Sequence, residues 1–282
     1  MSPLDAVLAP IVNWKLLAGS HEFPGAQGGT CVNEAAIVAA GLEYREVTTF
    51  EDLPDCFCPV LGTYLIFLND SAPGDELRTK RLMPFVLQLS GSRGDYALNA
   101  KRVNKLCVEL ARRFIPLFLR RLTGQLGDKR VDQLIGGLED RNSSVRAELN
   151  RLMEAIKSQH ALSYSLSKLW NLTVALELYV SDDLLLTNFS AASAADSLGD
   201  EITGSLTRLF HGLIVSQDVN FDMRDAVRAA QDRIDAWNVA VDIAYELLTV
   251  GERTVEVIDV TDAETRLQHA MDDALREVET VE

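Results

Sequence analysis

The sequence predicts a mainly α-helical fold: a multi-helix bundle with a smaller, Gly/Pro-broken helical domain in front and a long-helix domain behind. Three observations predict it. Apolar residues recur at helical spacing through long proline-free stretches of the back half, whereas glycine and proline interrupt the front third. The 282 residues are 47% hydrophobic and 24% charged, with both signs mixed, which is the composition of a chain that buries a core. Four cysteines at irregular positions, Cys31, Cys56, Cys58 and Cys107, do not make a disulfide framework in a chain this long.

Taking the elements in order, Thr30 sits where a side-chain oxygen caps a helix, after the loop Gly25-Ala26-Gln27-Gly28-Gly29. That helix runs from Cys31 to about Ala40 and stops at Gly41, because glycine accepts positive φ. Residues 42–59 read as an irregular loop, or at most a short strand over Glu46–Phe50. Val60, Leu61, Tyr64, Leu65 and Leu68 then share one helical stripe. Residues 96–123 read as one amphipathic helix kinked at Pro116, which lacks a backbone donor. Its apolar face carries Val103, Leu106, Leu110, Phe114, Leu117 and Phe118. Most of the opposite face is basic: Lys101, Arg102, Lys105, Arg112, Arg113 and Arg120.

Behind it, residues 143–180 and 221–249 are long helical stretches. In the second, Val227, Ile234, Val241 and Leu248 recur every seven residues, with Ala230, Trp237 and Ala244 between them, forming a packing seam. Thr261 and Glu264 match a capping box for a last helix with Leu267, Ala270, Met271, Ala274 and Leu275 inward. Residues 254–260 alternate like a strand. The resulting division is a helical domain over 1–95, a basic linking helix over 96–124 and an acidic bundle over 125–282.

Charge bounds the function classes. The net of −15 divides into −6 over residues 1–100, +6 over 101–124 and −15 over 125–282. Such a balance repels nucleic acid and anionic lipid at long range, so direct nucleic-acid binding is disfavoured. The basic face, without interleaved aromatics, reads as solvated or salt-bridged to the acidic back half rather than as an anion patch. No apolar run reaches the roughly 18 residues a membrane span needs. The start, Met1-Ser2-Pro3-Leu4-Asp5-Ala6, lacks a secretory signal, and a cytoplasmic location with reduced thiols is expected.

The sharpest chemical candidate is Cys31, at a helix start after two glycines, where free amides and the helix dipole favour a thiolate. A cysteine-dependent hydrolase or transferase would use Cys31 as nucleophile, His21 as base and Glu34 nearby. The competing reading makes Cys31 a small apolar residue packed under its helix. His21, Cys31, Cys56 and Cys58 offer zinc-type donors, but their spacing does not match paired-ligand sites, so no metal and no cofactor is expected. Phosphate-binding loops, His-Glu-x-x-His and Gly-x-Ser-x-Gly do not occur in the sequence.

Several front-third motifs are Gly19-Ser20-His21, Gly29-x-Cys31-x-x-Glu34-Ala35, Asp52-x-Pro54-x-Cys56-x-x-Pro59-Val60, Leu68-Asn69-Asp70 and Pro84 to Gly91. With these, residues 14–95 resemble a set of bacterial and phage proteins without an assigned activity. The resemblance implies a helical front domain and an intracellular or phage-related origin, and no reaction. The expected function is a non-enzymatic helical scaffold for protein–protein contact, with a protein partner and self-association along the Val227–Leu248 seam. A narrower expectation is inhibition of a nucleic-acid-binding host defence complex, since ordered carboxylates imitate phosphates. The alternative is the Cys31 enzyme.

Overall fold

A computed structural model describes residues 14–20, 29–114, 116–117, 129–142, 144, 147–148, 151, 223–251 and 258–281. The regular elements are α1 (Val32–Ala39), a 3-10 turn (Phe50–Asp52), α2 (Pro59–Ser71), α3 (Asp75–Val86) and α4 (Tyr96–Glu109). A π-helical turn (Leu110–Phe114), α5 (Lys129–Glu139), α6 (Met223–Leu248) and α7 (Val260–Val281) follow. The mainly α class is as the periodicity predicts. An isolated parallel bridge, Leu16 with Thr30, is the one piece of β pairing among the described residues. The chain divides into two compact units, Met1–Asn99 with Leu248–Glu282, and Ala100–Leu247. The last helix, grouped with the acidic back half by its charge, therefore belongs to the first unit.

In the first unit α1 is the centre. All eight of its residues are buried, and it packs against α2, α3 and α7. Its start corrects the expected Thr30 cap. Cys31 is the N-cap, with extended backbone, and its Sγ accepts the Glu34 amide while Glu34 Oε2 accepts the Cys31 amide at 2.8 Å. This is a capping box with cysteine in the place usually held by Ser or Thr. The predicted stop is where the sequence puts it. Gly41 has φ +74, its amide bonds Val38 O, and the Leu42 amide bonds Ile37 O at 3.1 Å, the two bonds of a Schellman end. Arg266 on α7 adds a third bond there, to Ala39 O at 2.7 Å.

Residues 42–49 form a loop rather than a strand at Glu46–Phe50, and the 3-10 turn follows. Burial would raise the Asp52 carboxyl, but the amides and hydroxyls of Thr49 and Thr48 converge on it and hold it below its ordinary value. The expected stripe on 60–69 is a nearly all-round buried helix: Pro59 to Leu65 and Phe67 to Asn69 are covered. Asp259, just before α7, gives that helix its actual cap. Asp259 Oδ1 accepts the Thr261 amide at 2.8 Å, so Thr261 lies inside the helix and not at its cap. Among its described side chains Ala263 and Leu267 are buried and Ala270 and Met271 half-buried, while those of Ala274 and Leu275 lie outside what is described. Most of the proposed strand 254–260 lies outside the described residues, and Val260 already opens α7.

In the second unit the helix through residue 109 does not simply kink at Pro116. It widens into the π turn at Leu110, one turn earlier. The pyrrolidine ring of a proline clashes with the carbonyl four residues back, here Arg112, and a wider turn relieves that clash. Arg112 then donates to the main-chain oxygens of Asp140 and Arg141. The basic face is internally paired in part, as the salt-bridged reading expects. Lys105 reaches Glu109 at 2.8 Å and Glu246 at 2.7 Å, and Arg113 pairs with Glu246. Arg102 departs from the expected face: it is buried, while Lys101 is exposed. Arg120, like residues 152–180, lies outside the described residues.

Along α6, Trp237, Val241, Ala244 and Leu248 are buried and Ile234 is half-buried. The Val227 side chain lies outside what is described. The seam positions from Trp237 to Leu248 are thus covered within the single chain. Trp237→Ala should destabilise the protein by about 3–5 kcal/mol, the scale for emptying a buried aromatic site. Gln133→Ala, at an exposed position of α5, should stay within about 0.5 kcal/mol. Urea denaturation followed by circular dichroism checks both.

The charge cluster predicts a pH effect. Burial opposes ionisation of both Glu246 and Lys105, but Lys105 and Arg113 lower the glutamate, and Glu109 and Glu246 raise the lysine. A lowered carboxyl stabilises the fold above its unfolded pKa, about 4.3, and that contribution is lost as pH falls through the lower folded value. The pairs are partly exposed, so the amount is screened to about 1 kcal/mol or less. Glu246→Gln should flatten the loss of stability below about pH 4.5 relative to the parent chain, as followed by denaturation at stepped pH.

Candidate functional site

The residues singled out for chemistry meet around one carboxylate. Glu34 is fully buried on the first turn of α1. Its Oε1 accepts the Ser20 hydroxyl at 2.7 Å and the Val47 amide at 3.2 Å; its Oε2 accepts the Cys31 amide. Three separate stretches of chain, at residues 20, 31 and 47, are therefore tied to one side chain. A buried carboxylate is tolerated where donors replace its lost water, and two amides with a hydroxyl supply such donors here.

A second set of polar bonds fastens the segment before α1. Asn69 Nδ2 donates to Leu17 O at 2.7 Å, and Asn69 Oδ1 accepts the Val32 amide at 3.2 Å. Asp70 Oδ1 accepts the Gly19 amide at 2.7 Å. The buried guanidinium of Arg78 donates through Nε to Asn69 O at 2.7 Å and pairs with Asp75. Leu17 and Thr30 complete the arrangement with a backbone bond of 3.0 Å, and Trp14 Nε1 reaches the Thr30 hydroxyl. Gly29 is needed for that approach: at φ +147, an added Cβ would stand 2.8 Å from Lys15 O. Gly29 thus serves close backbone packing as well as a positive φ.

The electrostatics favour the packed reading of Cys31 over the nucleophile. Its side chain is buried, and burial first, then the Glu34 carboxylate, push the thiol well above the ordinary cysteine value. Burial, then Glu34 and Cys31, raise the Tyr44 hydroxyl too. A neutral thiol that accepts the Glu34 amide is a helix cap; it is the opposite of the thiolate that a cysteine nucleophile requires. His21, the candidate base, lies outside the described residues. Cys31 and Glu34 are brought together as the sequence places them, but as partners in capping.

Cys56 and Cys58 have other neighbours. The Cys58 amide donates to the Ser92 hydroxyl at 2.8 Å, and its thiol donates to Asn99 Oδ1 at 3.6 Å. Among the described residues no three His, Cys, Asp or Glu side chains are grouped to hold a metal. None of the helices searched there is long and apolar enough to cross a membrane. Sequence reasoning did not assign roles to Ser20, Tyr44, Asn69 or Arg78. Three of these have a retrospective signal or partner: Ser20 and Asn69 lie in the motifs carrying the resemblance, and Arg78 bonds one of them.

With this geometry in view, the chain was compared with protein-family models, curated proteins and solved structures, and none of the three gives a match.

The thiol assignment predicts a labelling order. In the native protein at pH 8, iodoacetamide should modify half-exposed Cys56 at least about tenfold faster than Cys31, and the gap should close on denaturation. Peptide mapping by mass spectrometry reads both rates.

Proposed function

We propose that this chain is a non-enzymatic interaction protein that presents an acidic helical exterior to a positively charged protein partner. The single observation behind this reading is where the chemistry-bearing side chains point. Cys31, Glu34, Asn69, Asp70 and Arg78 all bond main-chain atoms and hold segments together. The charge distribution supports the second half. Lys105, Arg112 and Arg113 engage groups of their own unit, whereas Asp259, Asp262 and Asp273 on and beside α7 are exposed. Opposite charge steers and registers partners more than it supplies affinity, so the fit is to a basic surface of the sort that otherwise holds nucleic acid. Inhibition of a nucleic-acid-binding host complex is the narrower form of the same proposal.

The test is capture from native lysate with the full chain and with a triple variant, Asp262→Lys, Asp272→Lys and Asp273→Lys. The reading expects a stoichiometric protein partner that is retained by the parent and lost, by about tenfold or more, with the variant. A partner retained equally by both, or none retained by a folded parent, counts against it.

A further inference from the structure

The Cys56-Phe57-Cys58-Pro59 stretch is not used by the Glu34 network or by the proposed interaction surface, and its two thiols differ in a way that suits redox chemistry. Cys56 is half-exposed, and Cys58 is fully buried; neither is in a disulfide. Cys58 is the N-cap residue of the thirteen-residue α2, with Pro59 at the first helical position and no side-chain capping bond of its own. Its thiol is free to donate to Asn99 Oδ1 at 3.6 Å instead. The turn carrying both cysteines is pinned on each side of Phe57: the Arg93 amide bonds Cys56 O at 3.1 Å, and the Cys58 amide bonds Ser92 Oγ at 2.8 Å. Phe57 itself is buried and its amide bonds Pro54 O at 2.9 Å. An accessible thiol, a shielded thiol two residues beyond it and a fixed turn at a helix start form an attacking and resolving pair.

We propose that Cys56 and Cys58 are a redox-active dithiol that reduces small-molecule disulfides, glutathione disulfide being the probe. The Cys56 thiolate, after losing its proton to solvent, attacks one sulfur of the disulfide. The S–S bond breaks, a mixed disulfide forms on Cys56, and one glutathione thiolate leaves and takes up a proton. Cys58, deprotonated in turn, attacks the Cys56 sulfur and expels the second glutathione. The dithiol is oxidised by two electrons to a Cys56–Cys58 disulfide, and one disulfide is reduced to two thiols. Forming that bond removes the Cys58 thiol donor from Asn99, so the oxidised form differs at the start of α4.

The experiment equilibrates the full chain in glutathione redox buffers, quenches with acid, alkylates, and maps peptides by mass spectrometry. In the parent the peptide holding Cys56 and Cys58 should escape alkylation and run about 2 Da below its free dithiol mass, reversibly as the buffer becomes reducing. Cys58→Ser should instead accumulate a glutathione adduct on Cys56, and Cys56→Ser should block both products at this site. A parent that stops at the mixed disulfide, forms its bond between other cysteines, or stays reduced in the oxidising buffers overturns the proposal. So does a folded Cys58→Ser chain, confirmed by circular dichroism, without the Cys56 adduct.

Discussion

A carboxylate taken out of water needs donors to replace its hydration, and the first unit is organised by how Glu34 obtains them. It reaches back to the Cys31 amide, across to the Val47 amide and out to the Ser20 hydroxyl. Each bond fixes a segment that lacks regular structure of its own. Removing the acceptor would leave buried amides unpaired, which is more damaging than the small net gain of forming each bond. The same logic recurs one layer away, where Asn69 and Arg78 serve the carbonyls and amides of residues 16, 17, 32 and 69. The core around α1 is apolar, but these polar ties decide which chain path encloses it.

Helix existence is legible because burial follows apolar spacing: α4 and α6 fall within stretches read as helical, and α2 and α7 overlap them. Termination at Gly41 was legible for a local reason, the positive φ that glycine alone adopts without strain. The helix starts were less so. Cysteine is not among the usual capping residues, so Thr30 drew the assignment that belongs to Cys31, and Thr261 drew the one that belongs to Asp259. Neither error changes the helix; each changes which side chain holds its first amides. The early π turn before Pro116 depends on how a ring and a carbonyl collide in three dimensions, which spacing does not encode. Arg102 was misplaced because helical projection cannot say which flank of a basic face meets a neighbour.

The candidate site was legible as a set of residues and not as a role. The motifs in residues 14–95 name Gly19, Ser20, Cys31, Glu34, Asn69 and Asp70, and the fold gathers them through direct bonds. Read linearly, a cysteine beside a glutamate at a helix start suggests a nucleophile and its helper. In space the carboxylate lies where it disfavours the thiolate, and the thiol is covered. The sign of that coupling depends on distance and burial, neither of which is present in a sequence. Charge behaves similarly: the basic run at 101–113 looks like a surface feature until Lys105 and Arg113 are seen joined to Glu109 and Glu246.

Native-state hydrogen exchange on Glu34→Gln tests most directly whether one side chain holds these segments. The substitution keeps size and removes one anionic acceptor, so protection at the Cys31 or Val47 amide should fall by about tenfold or more beyond any global change. Protection unchanged at both amides, in a chain as stable as the parent, would contradict the account.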